Sequence, residues 1–249
     1  MGNNKRDVSK LNKDYREKIL EYAISKNMKC SNAIAVLHST GCRPDELTKG
    51  VRVSISQDLK KLEFTILGSK LNAEQRRGIR LRKISVSIHD ENNKIKPNIL
   101  PLLNDLQKNE FESIKVSVAS ANSFSGYISK ISKRLYPRKK YHASAYSFRH
   151  SFAADLKNSG ADTVLIAKSM GHASTRSQQS YGRKRRGSSG EVSPVQEAVA
   201  SSDIRHQDRL LRFKIKNKNL KTKSRAEIGD ALASRNKQPA TAPKRKFKM

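Results

Sequence analysis

The spacing of apolar residues changes twice along this chain, and that change limits the folds that the sequence can adopt. Up to about residue 47, and again from residue 99, apolar residues recur every three or four positions, which is the spacing of one face of an α-helix. Between these parts, from Val51 to Ile88, they recur at every second position, which is the period of a half-buried strand. The sequence therefore predicts an α+β fold, mostly helical, with a small antiparallel three-stranded sheet.

The composition changes after residue 181. The stretch 182–194, GRKRRGSSGEVSP, combines basic residues with Gly, Ser and Pro, which is typical of a linker. Residues 182–249 carry 19 Lys and Arg against 6 Asp and Glu, with few apolar residues. We expect a flexible N-terminus at residues 1–7, one folded domain at 8–185, and a basic, mostly disordered tail at 186–249.

The charge balance indicates the class of partner. The 249 residues include 52 Lys and Arg against 22 Asp and Glu, a formal net charge of +30. A basic surface of this kind neutralises nucleic-acid phosphates and releases their counterions, so DNA or RNA is the favoured partner. The alternatives are a surface that only keeps the chain in solution and association with anionic lipid.

Several other classes of protein are disfavoured. The N-terminus, MGNNKRDVSK, lacks the apolar stretch of a signal peptide, and no apolar run approaches the ~20 residues that span a bilayer. Cys30 and Cys42 have no neighbouring Cys or His pair with the spacing of a zinc site. We expect a cytoplasmic protein without a membrane partner.

Three short segments and one tyrosine carry the functional signal. The segments are Ser39–Leu47 (STGCRPDEL), Tyr146–Ala153 (YSFRHSFA) and Met170–Ser174 (MGHAS), and they are followed by Tyr181. Each has an ordinary explanation when it is taken alone, such as an arginine paired with a nearby carboxylate or a glycine that ends a helix. Their order and spacing are more specific than any one of them.

Together these segments resemble the tyrosine recombinases, the phage integrase family. The family pattern is T-G-x-R-x-x-E-L, then H-x-L-R-H-S-F-A, then L-G-H, and then a nucleophilic tyrosine. Here Tyr181 follows His172 by nine residues, the usual spacing, and the resemblance spans about residues 31–181. It implies the family's catalytic domain at residues 8–185. It also implies an enzyme of DNA recombination and integration, associated with mobile genetic elements, that cuts and rejoins strands through a 3′-phosphotyrosine intermediate.

The chemistry explains the residue types. Attack at a phosphodiester builds negative charge on the phosphoryl oxygens, and preorganised donors stabilise that charge. Arg43 and Arg149 offer planar forks that match phosphate geometry, and His172 adds a third donor. Tyr181 is a weak nucleophile while its phenol is neutral, because the ordinary tyrosine pKa is about 10. The resemblance gives these four residues the catalytic roles, with Tyr181 as the nucleophile.

The leaving 5′ oxygen needs a proton, and in this family a lysine in a strand hairpin supplies it. Lys70, in the segment LGSKL, is the matching residue and our candidate general acid. Arg76 and Arg77 are nearby candidates for DNA contacts, and a basic loop that only follows the DNA backbone is the alternative. We expect Glu46 to orient Arg43 without contacting DNA.

Tyr146 departs from the family pattern. It occupies the position, three residues before Arg149, where the family usually has His, and a phenol is a far poorer neutral base than an imidazole. We still assign Tyr146 to the catalytic set, as an assisting hydrogen-bond donor. His150 is expected to face another side of the helix and to be structural.

The family's usual N-terminal clamping domain has no counterpart in the residues that precede the pattern. The clamp is either missing, replaced by the basic tail, or supplied by an accessory DNA-binding protein. The resemblance implies double-stranded DNA as partner and a homo-tetramer on two DNA sites, and it implies no metal or cofactor. Two other interpretations stay open: a DNA-binding relative with impaired catalysis, and relaxation of DNA like that of a type IB topoisomerase.

Overall fold

A five-stranded antiparallel sheet forms one layer of this computed structural model. The structure describes residues 8–72, 78–182, 187 and 193–205. The chain divides into two units, residues 1–206 and 207–249, and every described residue belongs to the first. The strands lie in the order β4-β1-β2-β3-β5, with the bounds Val51–Ile55 (β1), Lys61–Leu67 (β2), Leu81–Ser87 (β3), Ile114–Val116 (β4) and Glu197–Ala200 (β5).

The described part of the chain also contains α-helices, and residues of these helices join the apolar cluster of the sheet. The α-helices are Tyr15–Ser25 (α1), Ser31–Thr40 (α2), Pro44–Lys49 (α3), Leu100–Lys108 (α4), Ala121–Leu135 (α5), Ala145–Asn158 (α6) and Thr163–Met170 (α7). Two short 3-10 helices, Pro97–Ile99 and Thr175–Ser180, complete the set. None of these helices is long and apolar enough to cross a membrane.

The period-two segment forms the three strands that were predicted for it. Val53 pairs with Phe64, and Phe64 pairs with Ile84, so one row of apolar side chains crosses β1, β2 and β3. All three side chains are fully buried and join one apolar cluster with residues of the helices. The alternation of apolar and polar residues along the strands therefore indicates which face of the sheet packs against the helices.

The predicted strand number was wrong, because the sheet has five strands instead of three. Strand β4 has only three residues, too few to show an alternation that a sequence reading could detect. Strand β5 lies within the basic segment that was assigned to the tail, and its inward residue, Ala198, is small. Val195, just before β5, is fully buried, so this part of the segment adds to the core.

The fold brings the ends of several helices together. Helix α2 ends before Gly41, α3 begins at Pro44, and α7 ends before Gly171. Helix α6 packs against both α2 and α7. The three motifs identified in the sequence lie at these junctions, and the site is built there.

Candidate active site

The guanidinium of Arg149 lies at the centre of the site. Helix α6 begins with a capping box in which Ser144 and Ser147 satisfy each other's backbone groups, and Arg149 follows one turn later. Its side chain is fully buried and donates to the carbonyl of Gly41 at 2.9 Å and to that of Met170 at 2.5 Å. Arg149 therefore joins the ends of α2 and α7.

Two glycines make this junction possible. Gly41 and Gly171 both have left-handed backbones, with φ of 56° and 65°, and each ends a helix. A Cβ on Gly41 would lie 2.4 Å from the Phe152 ring, and one on Gly171 would lie 2.8 Å from Nη1 of Arg82. Both conformation and space thus require glycine at these positions.

Glu46 connects the first motif to the sheet. This fully buried carboxylate accepts from Arg43 Nη1 at 2.8 Å, from the Arg43 backbone N–H at 2.8 Å, and from Arg82 Nη2 at 2.7 Å. Arg82 also donates through Nε to the carbonyl of Ser169 at 3.0 Å. Glu46 thus binds both Arg43 and a second arginine, Arg82.

Arg82 was missed by the sequence analysis. It is only 1% exposed and lies on the same face of β3 as Ile84 and Val86. A charged residue in register with buried apolar neighbours was a detectable signal, because such a position needs a compensating partner. Glu46 is the partner of Arg82, and the Arg82 side chain occupies the space beside Gly171.

The neighbouring arginines keep the Glu46 carboxyl ionised. Burial alone would raise the pKa of Glu46, but Arg82, followed by Arg149 and Arg43, outweighs that effect and lowers the pKa to about 2. One buried carboxylate thus faces three guanidiniums. The site keeps a net positive charge that an anion can neutralise.

His172 is neutral in this environment. Burial and then the positive charges of Arg149, Arg43 and Arg82 lower its pKa to about 2. Its Nε2 lies 3.1 Å from Nη2 of Arg149, and because arginine only donates, this nitrogen must accept, so the ring proton lies on Nδ1. Among the described residues, neither His172 Nδ1 nor Arg149 Nε has a hydrogen-bond partner, although both are buried.

Tyr181 packs directly on these groups. Its ring stacks on that of His172 with centroids 5.1 Å apart, and its centroid lies 4.8 Å from Cζ of Arg149. Burial tends to raise the pKa of the phenol, but Arg149, Arg43 and Lys70 lower it below its ordinary value. The site therefore favours the phenolate, which is the nucleophilic form.

His150 is not placed as the sequence analysis expected. Its ring lies 5.2 Å from that of Tyr181, so it contacts the tyrosine instead of facing away from the site. The side chains of residues 149 and 150 both reach Tyr181, because the segment that contains Tyr181 passes close to the backbone of α6. That close approach follows from the tertiary packing, and helical spacing alone does not reveal it.

Tyr146 behaves differently from Tyr181. Its hydroxyl donates to Oδ2 of Asp45 at 3.2 Å. Burial and the neighbouring Asp45 raise the pKa of the Tyr146 phenol. The two tyrosines of the site are thus shifted in opposite directions, and Tyr181 is the one that deprotonates more readily.

Lys70 lies in the connection between β2 and β3. The residue is exposed, and its charge contributes to lowering the pKa of Tyr181. Lys49, at the end of α3, donates to the carbonyl of Gly68 at 2.6 Å and ties the start of this connection to the first motif. The candidate DNA contacts Arg76 and Arg77 lie outside the described residues.

The sequence matches the model of the phage integrase family over residues 9–187. The chain belongs to this family. No curated protein matches the sequence. Within the described residues there is no group of three or more His, Cys, Asp or Glu side chains that could hold a metal ion.

Three solved structures of recombinases are similar to this phage integrase family member. XerA recombinase is 17% identical with a TM-score of 0.47, covering 69% of this chain and 57% of its own. XerH site-specific recombinase bound to difH substrate, in a pre-cleavage complex, is 19% identical with a TM-score of 0.44, covering 69% and 49%. The Tn1549 transposon integrase with a circular intermediate DNA is 14% identical with a TM-score of 0.43, covering 68% and 59%. The chain spans about half to three-fifths of their lengths.

The charge cluster around Glu46 predicts a pH-dependent stability. Because the folded-state pKa lies below the ordinary value of 4.5, the carboxylate stabilises the fold above that value and ceases to do so as the pH falls toward about 2. We expect Glu46→Gln to lower the free energy of unfolding at pH 7 by about 3–5 kcal/mol, since it leaves buried guanidiniums uncompensated. Urea unfolding followed by circular dichroism at pH 7 and pH 3 measures both effects.

The matched control is Glu91→Gln, which removes an exposed carboxylate from the loop after β3. We expect it to change stability little at either pH. The difference between the wild type and Glu46→Gln should shrink on going from pH 7 to pH 3. A difference that does not depend on pH would contradict the assigned pKa of Glu46.

Proposed function

We propose that this phage integrase family member is a site-specific DNA recombinase that acts through a covalent 3′-phosphotyrosyl bond formed by Tyr181. The observation that carries the proposal is the packing of Tyr181 on Arg149 and His172. The same two residues hold buried donors without partners among the described residues, which suits them to bind a phosphate beside the nucleophile.

Each step balances within this set of residues. The phenolate oxygen of Tyr181 attacks the scissile phosphorus, after the phenol has lost its proton to water. The bond between phosphorus and the 5′ oxygen breaks, and Lys70 protonates the leaving 5′ oxygen. Rejoining is the reverse reaction, in which a 5′ hydroxyl attacks and Tyr181 leaves, so no nucleotide cofactor is consumed.

Positive charge supports DNA as the substrate. The chain carries a net charge of +30, and the site itself holds three arginines against one buried carboxylate. Phosphate contacts of this kind fix the register of a duplex without reading its sequence. A homo-tetramer on two DNA sites, an accessory DNA-binding protein and a cytoplasmic location remain predictions.

Substitution of the nucleophile gives the first test. On a nicked suicide DNA substrate that carries candidate sites from the flanking genome, the wild type should form a covalent protein–DNA band on a denaturing gel. Tyr181→Phe should abolish that band and leave DNA affinity unchanged, because only the attacking oxygen is removed. Tyr127→Phe, on the exposed surface of α5, is the matched control and should keep the band.

A band that persists in Tyr181→Phe would show that another residue is the nucleophile. Tyr146→His tests the alternative that the chain is a DNA-binding relative with impaired catalysis. This variant restores the histidine that the family usually has at that position. A band in this variant but not in the wild type would identify the chain as a catalytically impaired DNA-binding relative.

Lys70 is tested by changing the leaving group. Lys70→Met should slow adduct formation by about 10²–10⁴-fold, because it removes the acid that protonates the 5′ oxygen. A substrate with sulfur in place of that oxygen releases a thiolate, which needs no acid, so the variant should regain a rate near that of the wild type. Single-turnover gels measure the rate of adduct formation by Lys70→Met relative to the wild type on each of the two substrates.

Lys60→Met removes an equal charge from the exposed turn between β1 and β2 and is the control for weaker DNA binding. It should be slowed equally on both substrates, if at all. If sulfur failed to rescue Lys70→Met, the general-acid role of Lys70 would be excluded.

A further inference from the structure

Lys157, near the end of α6, holds the backbone on both sides of Tyr181. Its ammonium donates to three carbonyls, those of Gln178 at 2.8 Å, Tyr181 at 2.6 Å and Gly182 at 2.9 Å. These carbonyls lie where the 3-10 helix Thr175–Ser180 ends, and that of Gln178 also accepts from the backbone N–H of Tyr181 at 3.0 Å.

Gly182 fixes the same segment by close contact. Its φ is +34°, and a Cβ on it would lie 2.5 Å from the carbonyl oxygen of His150 and 2.6 Å from the backbone nitrogen of Ala154. Both atoms belong to the backbone of α6 and cannot move aside easily. Gly182 therefore lies directly against the backbone of α6, independently of the lysine contacts.

Helix α6 also carries Arg149, whose guanidinium faces the Tyr181 ring. One rigid helix thus holds both the phosphate-binding arginine and the backbone of the nucleophile. The hydrogen bonds of Lys157 set the distance between these two groups. A tyrosine on a 3-10 turn without this attachment would sample positions away from the arginine.

We propose that Lys157 is a positioning residue that keeps the Tyr181 hydroxyl aligned with the phosphate held by Arg149. The proposal rests on the proposed strand-cutting function. The three carbonyls belong to the backbone of the Tyr181 segment, so we expect Lys157 to affect the rate of attack and not the recognition of DNA. A displacement of a nucleophile by about 1 Å can cost on the order of 10²-fold in rate.

The test compares Lys157→Met with Lys168→Met in the full-length chain. Both changes remove one positive charge and keep a long side chain, and Lys168 lies on the neighbouring helix α7. On the suicide substrate we expect single-turnover adduct formation to be about 10–100-fold slower in Lys157→Met than in Lys168→Met. DNA affinity should be equal in the two variants.

The pH profile distinguishes positioning from general damage. In the wild type, adduct formation should rise with the ionisation of Tyr181 at a pH below the ordinary tyrosine value, because Arg149 and Arg43 outweigh the effect of burial on its pKa. In Lys157→Met the phenol lies farther from those cations, so the midpoint should move upward. A slower rate with an unchanged midpoint would contradict the proposal.

Hydrogen exchange gives a readout that needs no activity. In DNA-free protein, the amides of residues 177–182 should exchange faster in Lys157→Met than in Lys168→Met. Gly182→Ala should have the same effect, while Gly126→Ala, whose added Cβ meets no atom within 4 Å, should not. If the wild type formed no adduct but these differences in exchange appeared, the proposed function would fail and the attachment by Lys157 would stand. Equal exchange in the two lysine variants would overturn the attachment itself.

Discussion

The buried carboxylate of Glu46 is the interaction on which the rest of the site depends. It receives hydrogen bonds from Arg43 and Arg82, and it lowers the repulsion between them and Arg149. Burial of several like charges costs free energy unless an opposite charge compensates them. One carboxylate compensates only part of this charge, so the remaining positive charge is available to a phosphate. Stability of the fold and affinity for an anion thus arise from the same cluster.

The same residues also surround Tyr181, the proposed nucleophile. Tyr181 packs on Arg149 and His172, so the groups suited to bind phosphate also favour the phenolate. His172 is neutral because of burial and the neighbouring arginines, and its remaining ring proton has no partner in the part of the chain that the structure describes. Donors that are rigidly placed before substrate arrives need no reorganisation during the reaction, which is the main source of electrostatic catalysis.

Much of this could be predicted from the sequence, and the errors have physical causes. The alternation of apolar residues predicted β1, β2 and β3, because the period of a half-buried strand is visible in neighbouring residues. Strands β4 and β5 escaped prediction because each is short and is stabilised by a distant partner strand. Arg82 was detectable as a charge on an apolar face, whereas Lys157 contacts carbonyls about twenty residues away and leaves no local signal.

Mass spectrometry of the protein–DNA adduct shows directly whether Tyr181 itself becomes bonded to DNA. After nuclease and trypsin digestion, we expect a 3′-linked nucleotide on the peptide of residues 177–183, in which Tyr181 is the only tyrosine. A nucleotide on the peptide of residues 141–149, which contains Tyr146, would contradict the account. So would an adduct whose phosphate is joined to the 5′ end of the cut strand.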